Sequence, residues 1–156
     1  MKKVYCPDDY ALKLKGYWQI DLHGPDGELK AHREGKNVVT TNGKEFLASL
    51  FSSAACAAVT QSMRYVAIGT DATAEDAAQT ALIAETARVS GIVSYTSGGI
   101  YEVRATFTTG VGTGAITEYG LLNTTAAGTM LTRDVEAVIN KGANDTLTIT
   151  HQLTFS

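Results

Sequence analysis

The chain has 156 residues, with 13 Lys and Arg against 16 Asp and Glu, a net charge of -3, and 15 glycines but only 2 prolines. That length suits one domain able to bury a core without metal or disulfide staples. The dispersed, mildly acidic charge argues against a nucleic-acid binder, and no apolar run approaches the roughly 20 residues of a membrane span.

The chain opens MKKVYCPDDYALKLKG. Lys2 and Lys3 are too few for a basic arm, and no apolar stretch precedes Pro7, Asp8 and Asp9, so the opening does not read as a signal peptide. Synthesis in cytoplasm is the expectation. Cys6 and Cys56 stand in no metal-ligand spacing; two free thiols are expected, with one disulfide as the alternative.

From Leu12 to His23 the residues alternate. Leu12, Leu14, Gly16, Trp18, Ile20 and Leu22 fall on one face, and Lys13, Lys15, Tyr17, Gln19, Asp21 and His23 on the other. This is a strand with one dry and one wet side. Gly24-Pro25-Asp26-Gly27 is a turn, and Glu28 to Arg33 returns as a short hairpin partner. Near residue 42 the period changes. Thr41 or Asn42 caps a helix over residues 42–57, with Phe46, Leu47, Leu50, Phe51 and Ala54 as its stripe. Met63 to Gly69 reads as a buried strand. Ala74 to Ala78 suits either a helical turn or a loop.

The remainder is sheet. Arg88 to Tyr95 places Val89, Gly91, Val93 and Tyr95 on one face, and TSGG links it to a strand through Tyr101, Val103, Ala105 and Phe107. TGVGTG, from Thr109 to Gly114, reads as another hairpin turn. Ile116 to Leu122 and Met130 to Ile139 are two more strands around a surface loop. The turn at Asn144-Asp145 then leads into a strand with Leu147, Ile149, His151, Leu153 and Phe155 on one face. A strand running to the last residue suggests a well-tied place in the sheet. The expectation is a mainly β, antiparallel sandwich, jelly-roll-like as one form, with one covering helix, in a single domain over residues 1–156. Residues 1–35 are either an N-terminal docking hairpin or arm, or the first strands of that sandwich.

Chemistry is sparse. His23, His32 and His151 show no zinc-like spacing; His23 near Asp21 is the nearest approach to one. His151, flanked by apolar residues at 149 and 153, reads as a ring hydrogen-bonded within the inward face or at a subunit contact. Asp71, Glu75 and Asp76 share a loop without the spacing of a calcium-binding EF-hand. Paired carboxylates from separate strands would be drawn from Glu102, Glu118, Asp134 and Glu136, each with a simpler reading as a polar-face residue. GVGTG lacks the following helix and the Gly-Lys-Ser/Thr ending of a phosphate loop. Asn123-Thr124-Thr125 and Asn144-Asp145-Thr146 match the glycosylation pattern only formally. No cofactor and no enzymatic activity are expected. Tyr17 and Trp18 are candidates for a contact surface, Trp18 having core as its plainer reading, and His151 joins them.

The strings YVAIGTDATAE, ALIAETAR, AITEYGLLN, GTMLTRDV and DTLTITHQLTF occur in that order. They resemble a group of small tailed-bacteriophage virion proteins, variously described as head decoration or tail-fibre-like. The likeness rests on Ile68-Gly69-Thr70, Leu82 to Glu85 with Arg88, Ile116 to Leu121, Gly128 to Arg133 and Leu147 to Phe155. Lys36 to Val39 with the helix extends it to residues 36–156. His151 departs from the pattern, which has a bulky aromatic or apolar residue there. The resemblance implies a virion location and partners among other protein subunits, the major capsid protein foremost, with no nucleic acid and no membrane. It makes a capsid decoration or cement protein, homo-oligomeric and trimeric by symmetry, the leading expectation. A tail or fibre component that attaches to host glycans is the alternative, with Tyr17, Tyr95, Tyr101 and Tyr119 as its aromatic platform. Glu118 and Arg133 are expected to form a cross-strand pair that holds register. A small hydrolase or deaminase would need His151 clustered with Glu118 or Glu136.

Overall fold

The computed structural model describes residues 13–50, 62–96 and 98–156. Its elements are β1 (Leu14–His23), β2 (Leu29–Val39), α1 (Thr41–Ser49), β3 (Tyr65–Gly69), β4 (Glu85–Ser90), β5 (Ile92–Thr96), β6 (Ile100–Phe107), β7 (Gly114–Leu122), β8 (Met130–Lys141) and β9 (Thr146–Phe155). The strands form one antiparallel sheet in the order β4-β3-β7-β8-β2-β1-β9-β6-β5. It folds on itself into two layers, a sandwich that is nearly a barrel.

Two strands make the corners. β2 pairs with β1 from Leu29 to Asn37, then swings to β8 through Val38 and Val39. At the far side β4 pairs with β3, and β5, which follows after one residue, pairs with β6. The two ends of the sheet order are therefore joined covalently at Gly91. A β-carbon there would stand 2.5 Å from Val103 Cγ1 and 3.1 Å from the Arg104 carbonyl oxygen. Gly91 also donates its N–H to the Arg64 carbonyl at 2.7 Å. Only a residue without a side chain fits between two sheets that approach this closely. Gly91→Val is expected to cost about 1–3 kcal/mol through overpacking, read as a lower urea midpoint at unchanged slope; an unchanged midpoint would show that the corner gives way freely.

The continuous strand expected from Arg88 to Tyr95 is thus two strands in different layers. TGVGTG differs as well. β6 neighbours β9 and β5 while β7 neighbours β3 and β8, so this connection crosses between layers and is no hairpin. The turn from Lys141 to Thr146 crosses beside it, and Gly110 N donates to the Ala143 carbonyl at 2.8 Å. Lys141 ties this end together, donating to the carbonyls of Thr108 at 3.1 Å and Asp145 at 2.8 Å. Burial holds its pKa below the ordinary lysine value. The Asp145 carboxylate accepts from Lys30 Nζ and from Gly142 N, and both hold its pKa low.

Alternation on β1 and β9 behaves as the sequence pattern implies. Trp18, Ile20, Leu22, Leu147, Ile149 and Leu153 are buried in the main core with Phe107, Ile116, Tyr119 and Leu121. Burial of each such side chain is worth about 1.5–3 kcal/mol. β1 lies between β2 and β9, and β9 between β1 and β6. Residues 14–35 are therefore part of the barrel wall, not a separate hairpin or arm; residues 1–12 lie outside the described residues. β2 runs six residues beyond the expected Arg33.

The cap of α1 is Thr40, one residue before the first of the two expected, Thr41. Thr40, extended at φ -69° and ψ 155°, accepts the Gly43 N–H on its side-chain oxygen, satisfying one of the open donors of the first turn. Its hydroxyl donates to the Met130 carbonyl at 2.5 Å, so the cap also ties the helix to β8. α1 ends at Ser49, and residues 51–57 of the expected helix lie outside the described residues. Ala74 to Ala78 is a loop with one turn at 77–78.

Candidate functional site

Three polar arrangements stand out against this frame. The first is on the outer side of β7 and β8. Glu118 and Arg133 meet there as a buried ion pair, Arg133 Nη2 and Nε donating to Glu118 Oε2 at 2.9 and 3.1 Å, with both side chains wholly inaccessible. They sit diagonally across the ladder, since Gly120 faces Arg133 and Glu118 faces Val135. The pair is not a surface one, because the segment between β3 and β4 lies over it. Glu118 accepts the backbone N–H groups of Ala84 at 2.6 Å and Ile83 at 3.0 Å. Arg133 Nη1 reaches the Thr73 carbonyl at 2.9 Å and Gln79 Oε1 at 3.0 Å, and Nη2 lies 3.9 Å from Asp71. One carboxylate and one guanidinium therefore hold both ends of the segment 70–84. Beneath it Leu82 packs with Ala67, Leu122 and Met130 in a second small core.

Arg88 does similar work at the next loop. It is paired with Glu85 at 2.6 Å and donates to the carbonyls of Thr124 at 3.0 Å and Ala127 at 2.8 Å. It thus braces the β7–β8 connection, where Ala127 and Gly128 have positive φ.

The second arrangement lies inside. His151 is fully buried with its ring 4.3 Å from Trp18, edge to face. Its Nε2 accepts from Asn37 Nδ2 at 2.6 Å and lies 3.3 Å from the Thr132 hydroxyl. Complete burial pushes its pKa down to about 3, so the ring is neutral with its proton on Nδ1. That Nδ1 and Trp18 Nε1 have no partner among the described residues. Of the three interface candidates, Trp18 and His151 expose nothing for a partner to touch; each packs inward because its strand position faces the core. Tyr17, on the opposite face of β1, remains partly exposed. A hydrogen bond to Glu34 raises the pKa of its hydroxyl.

The third is Asp134, buried among the inner residues opposite Tyr119. Desolvation first, then the charges of Glu136 and Glu75, push its pKa up to about 7. Its Oδ2 has no partner among the described residues. Desolvation, with Asp134 and Glu136 nearby, also raises the Tyr119 phenol well above its usual value.

These positions separate the expected acids. Glu118 and Asp134 face opposite sides of the same layer, and Glu102, on β6, accepts from Gln152 at 2.8 Å in the other. His151 contacts Asn37, Thr132 and Trp18, with no hydrogen bond to Glu118 or Glu136 among the described residues. Asp21 pairs across the ladder with His32 at 2.5 Å; His23, expected beside it, makes no hydrogen bond to Asp21 among the described residues and acts on it only through its charge. Among the described residues no group of three or more His, Cys, Asp or Glu is placed to hold a metal ion, and no helix is long and apolar enough to cross a membrane.

Sequence reasoning missed Asn37, Thr132 and the role of Arg88. Asn37 carried one legible hint, a polar residue opposite Gly16, its register partner on β1. A β-carbon at Gly16 would collide with the Asn37 amide, at 1.7 Å from Oδ1. Gly16 thus leaves the space through which Asn37 reaches His151. Searches of protein-family models, curated proteins and solved structures find no match to this chain.

Proposed function

We propose that this chain is a structural protein of a tailed-phage virion, a capsid decoration or cement protein that acts as a homo-oligomer, trimeric by preference. The observation that carries this reading is where the charged residues of the phage-like motifs go. Glu118, Arg133 and Arg88, the last paired with Glu85, all hold surface segments onto the sheet, which supports reading the motif pattern as bracing. A cement protein needs such rigid outer loops, because it bridges several capsid subunits at once and its individually weak contacts add through multivalency. A three-fold oligomer would match a three-fold or quasi-three-fold site on the shell.

The tail-fibre reading calls for a shared aromatic platform. Tyr119 is in the core, and the Tyr101 hydroxyl donates to the Met63 carbonyl at 2.7 Å. Tyr17 and Tyr95 are left three strand spacings apart in the order β1-β9-β6-β5, roughly 14 Å. This favours the head over the fibre.

Cryo-electron microscopy of the native particle carrying this chain is the test. Density for its copies clamped across capsomer boundaries is expected. Density confined to the tail or a fibre tip would overturn the proposal.

A further inference from the structure

Where β2 leaves one layer for the other, the barrel wall forks. The last rung between β1 and β2 is Gly16 with Asn37. Beyond it Val38 and Val39 pair with β8, while Leu14 and Lys15 pair only with β9. Among the described residues the facing strand edges of Leu14–Lys15 and Val38–Val39 thus have no ladder partner between them. All four residues line one open cleft of about 770 Å³, with Tyr17, Gln152, Thr154, Lys44 of α1 and Ala77 completing its walls.

Lys15, Lys36 and Lys44 rim this cleft, and all three are exposed. None forms an ion pair with a carboxylate among the described residues, in contrast to Lys30, which meets Asp145. α1 begins beside it without an acidic residue in its first turn, and Thr41 N donates to the Ala77 carbonyl. Glu34, beside Tyr17, is not among the lining residues. On a chain of net charge -3 this concentration of lysines runs against the overall sign.

We propose that the fork is a docking site for an extended acidic peptide segment of a partner protein. Unpaired strand edges are completed by a peptide backbone, the side-chain pockets between them take apolar residues, and the lysine rim selects carboxylates. A nucleic acid would satisfy the lysines but not the strand edges, and its bases would find only Tyr17 to stack on. The inference goes beyond the virion reading and does not depend on it.

Fluorescence anisotropy on the full chain tests it, with three labelled probes: an octapeptide alternating valine and glutamate, its valine–lysine counterpart, and a ten-nucleotide oligo-dT. The glutamate peptide is expected to bind about tenfold or more tighter than the other two. Lys36→Glu with Lys44→Glu, both on exposed positions, is expected to weaken it by a similar factor while the thermal midpoint is kept. Methylation of alternate peptide amides is expected to abolish binding. Equal binding of the glutamate and lysine peptides, retention of affinity by the double variant, or indifference to amide methylation would each overturn the proposal. Oligo-dT binding as tightly as the glutamate peptide, and lost in the same variant, would overturn it in favour of a polyanion site.

Discussion

Arg133→Met is expected to lower stability by about 3–5 kcal/mol, because it leaves the Glu118 carboxylate buried without its cation. For a chain of this size that is a fall of roughly 6–20 °C in melting temperature. The segment 70–84 loses its hold on Thr73 and Gln79 in the same step. Limited proteolysis should therefore cut within 70–84 before the barrel unfolds, since local opening needs less free energy than global unfolding. Removing both charges, as Glu118→Leu with Arg133→Met, should recover only part of the loss. The N–H groups of Ile83 and Ala84 would then be without their acceptor, each at a cost of about 1–3 kcal/mol. A double variant as stable as the parent would mean that the carboxylate matters only as the partner of Arg133.

Asp134→Asn is expected to change the shape of the stability–pH curve more than its height at acid pH. His151 titrates at about 3 when folded against an ordinary 6.5. The unfolded chain alone takes up that proton, so this group's contribution is lost as pH falls from 6.5 toward 3. Asp134 titrates at about 7 when folded against 3.8. Its contribution is fully present below 3.8 and is lost as pH rises through 7. Between about pH 4 and 6.5 the two slopes oppose, and the parent should be nearly flat there. The asparagine variant keeps only the His151 limb. Its unfolding free energy should climb from pH 3 to 6.5 and exceed the parent's at pH 8 by about 2–4 kcal/mol. Urea titrations at pH 4, 6 and 8 check this; parallel curves for the two proteins would show that Asp134 ionises normally in the fold.

The two cases differ in how far they were readable from residue order. Glu118 and Arg133 were legible as neighbours, because each lies on a strand flanking one short connection and hairpin strands usually pair. That they are buried was not legible. Their cover comes from residues 70–84, a run of small and acidic residues with no periodicity to reveal what it lies on. His151 was marked by its place in an apolar alternation, and that alternation puts it inside. Trp18 follows the same rule, which leaves Tyr17 alone of the three with exposed surface. Asp134 was visible only as one acid among several, since nothing local distinguishes a carboxylate facing Tyr119 from one facing water.

Period-two patterning by itself determined the mainly β class, the end of β1 at His23, the course of β9 and the side of each that faces the core, because alternation is a local property that burial must respect. The change of period near residue 42 likewise announced the helix. Tertiary structure alone decided partnership. Val89, Gly91 and Val93 continue one alternation through a point where the strand exchanges β3 for β6, and Val38 and Val39 continue β2 after it has left β1 for β8. A strand's side-chain period is the same whichever neighbour takes its hydrogen bonds. The closure at Gly91, the strap over Glu118 and Arg133, and the lysine-rimmed fork therefore depend on contacts between distant residues that no local pattern encodes.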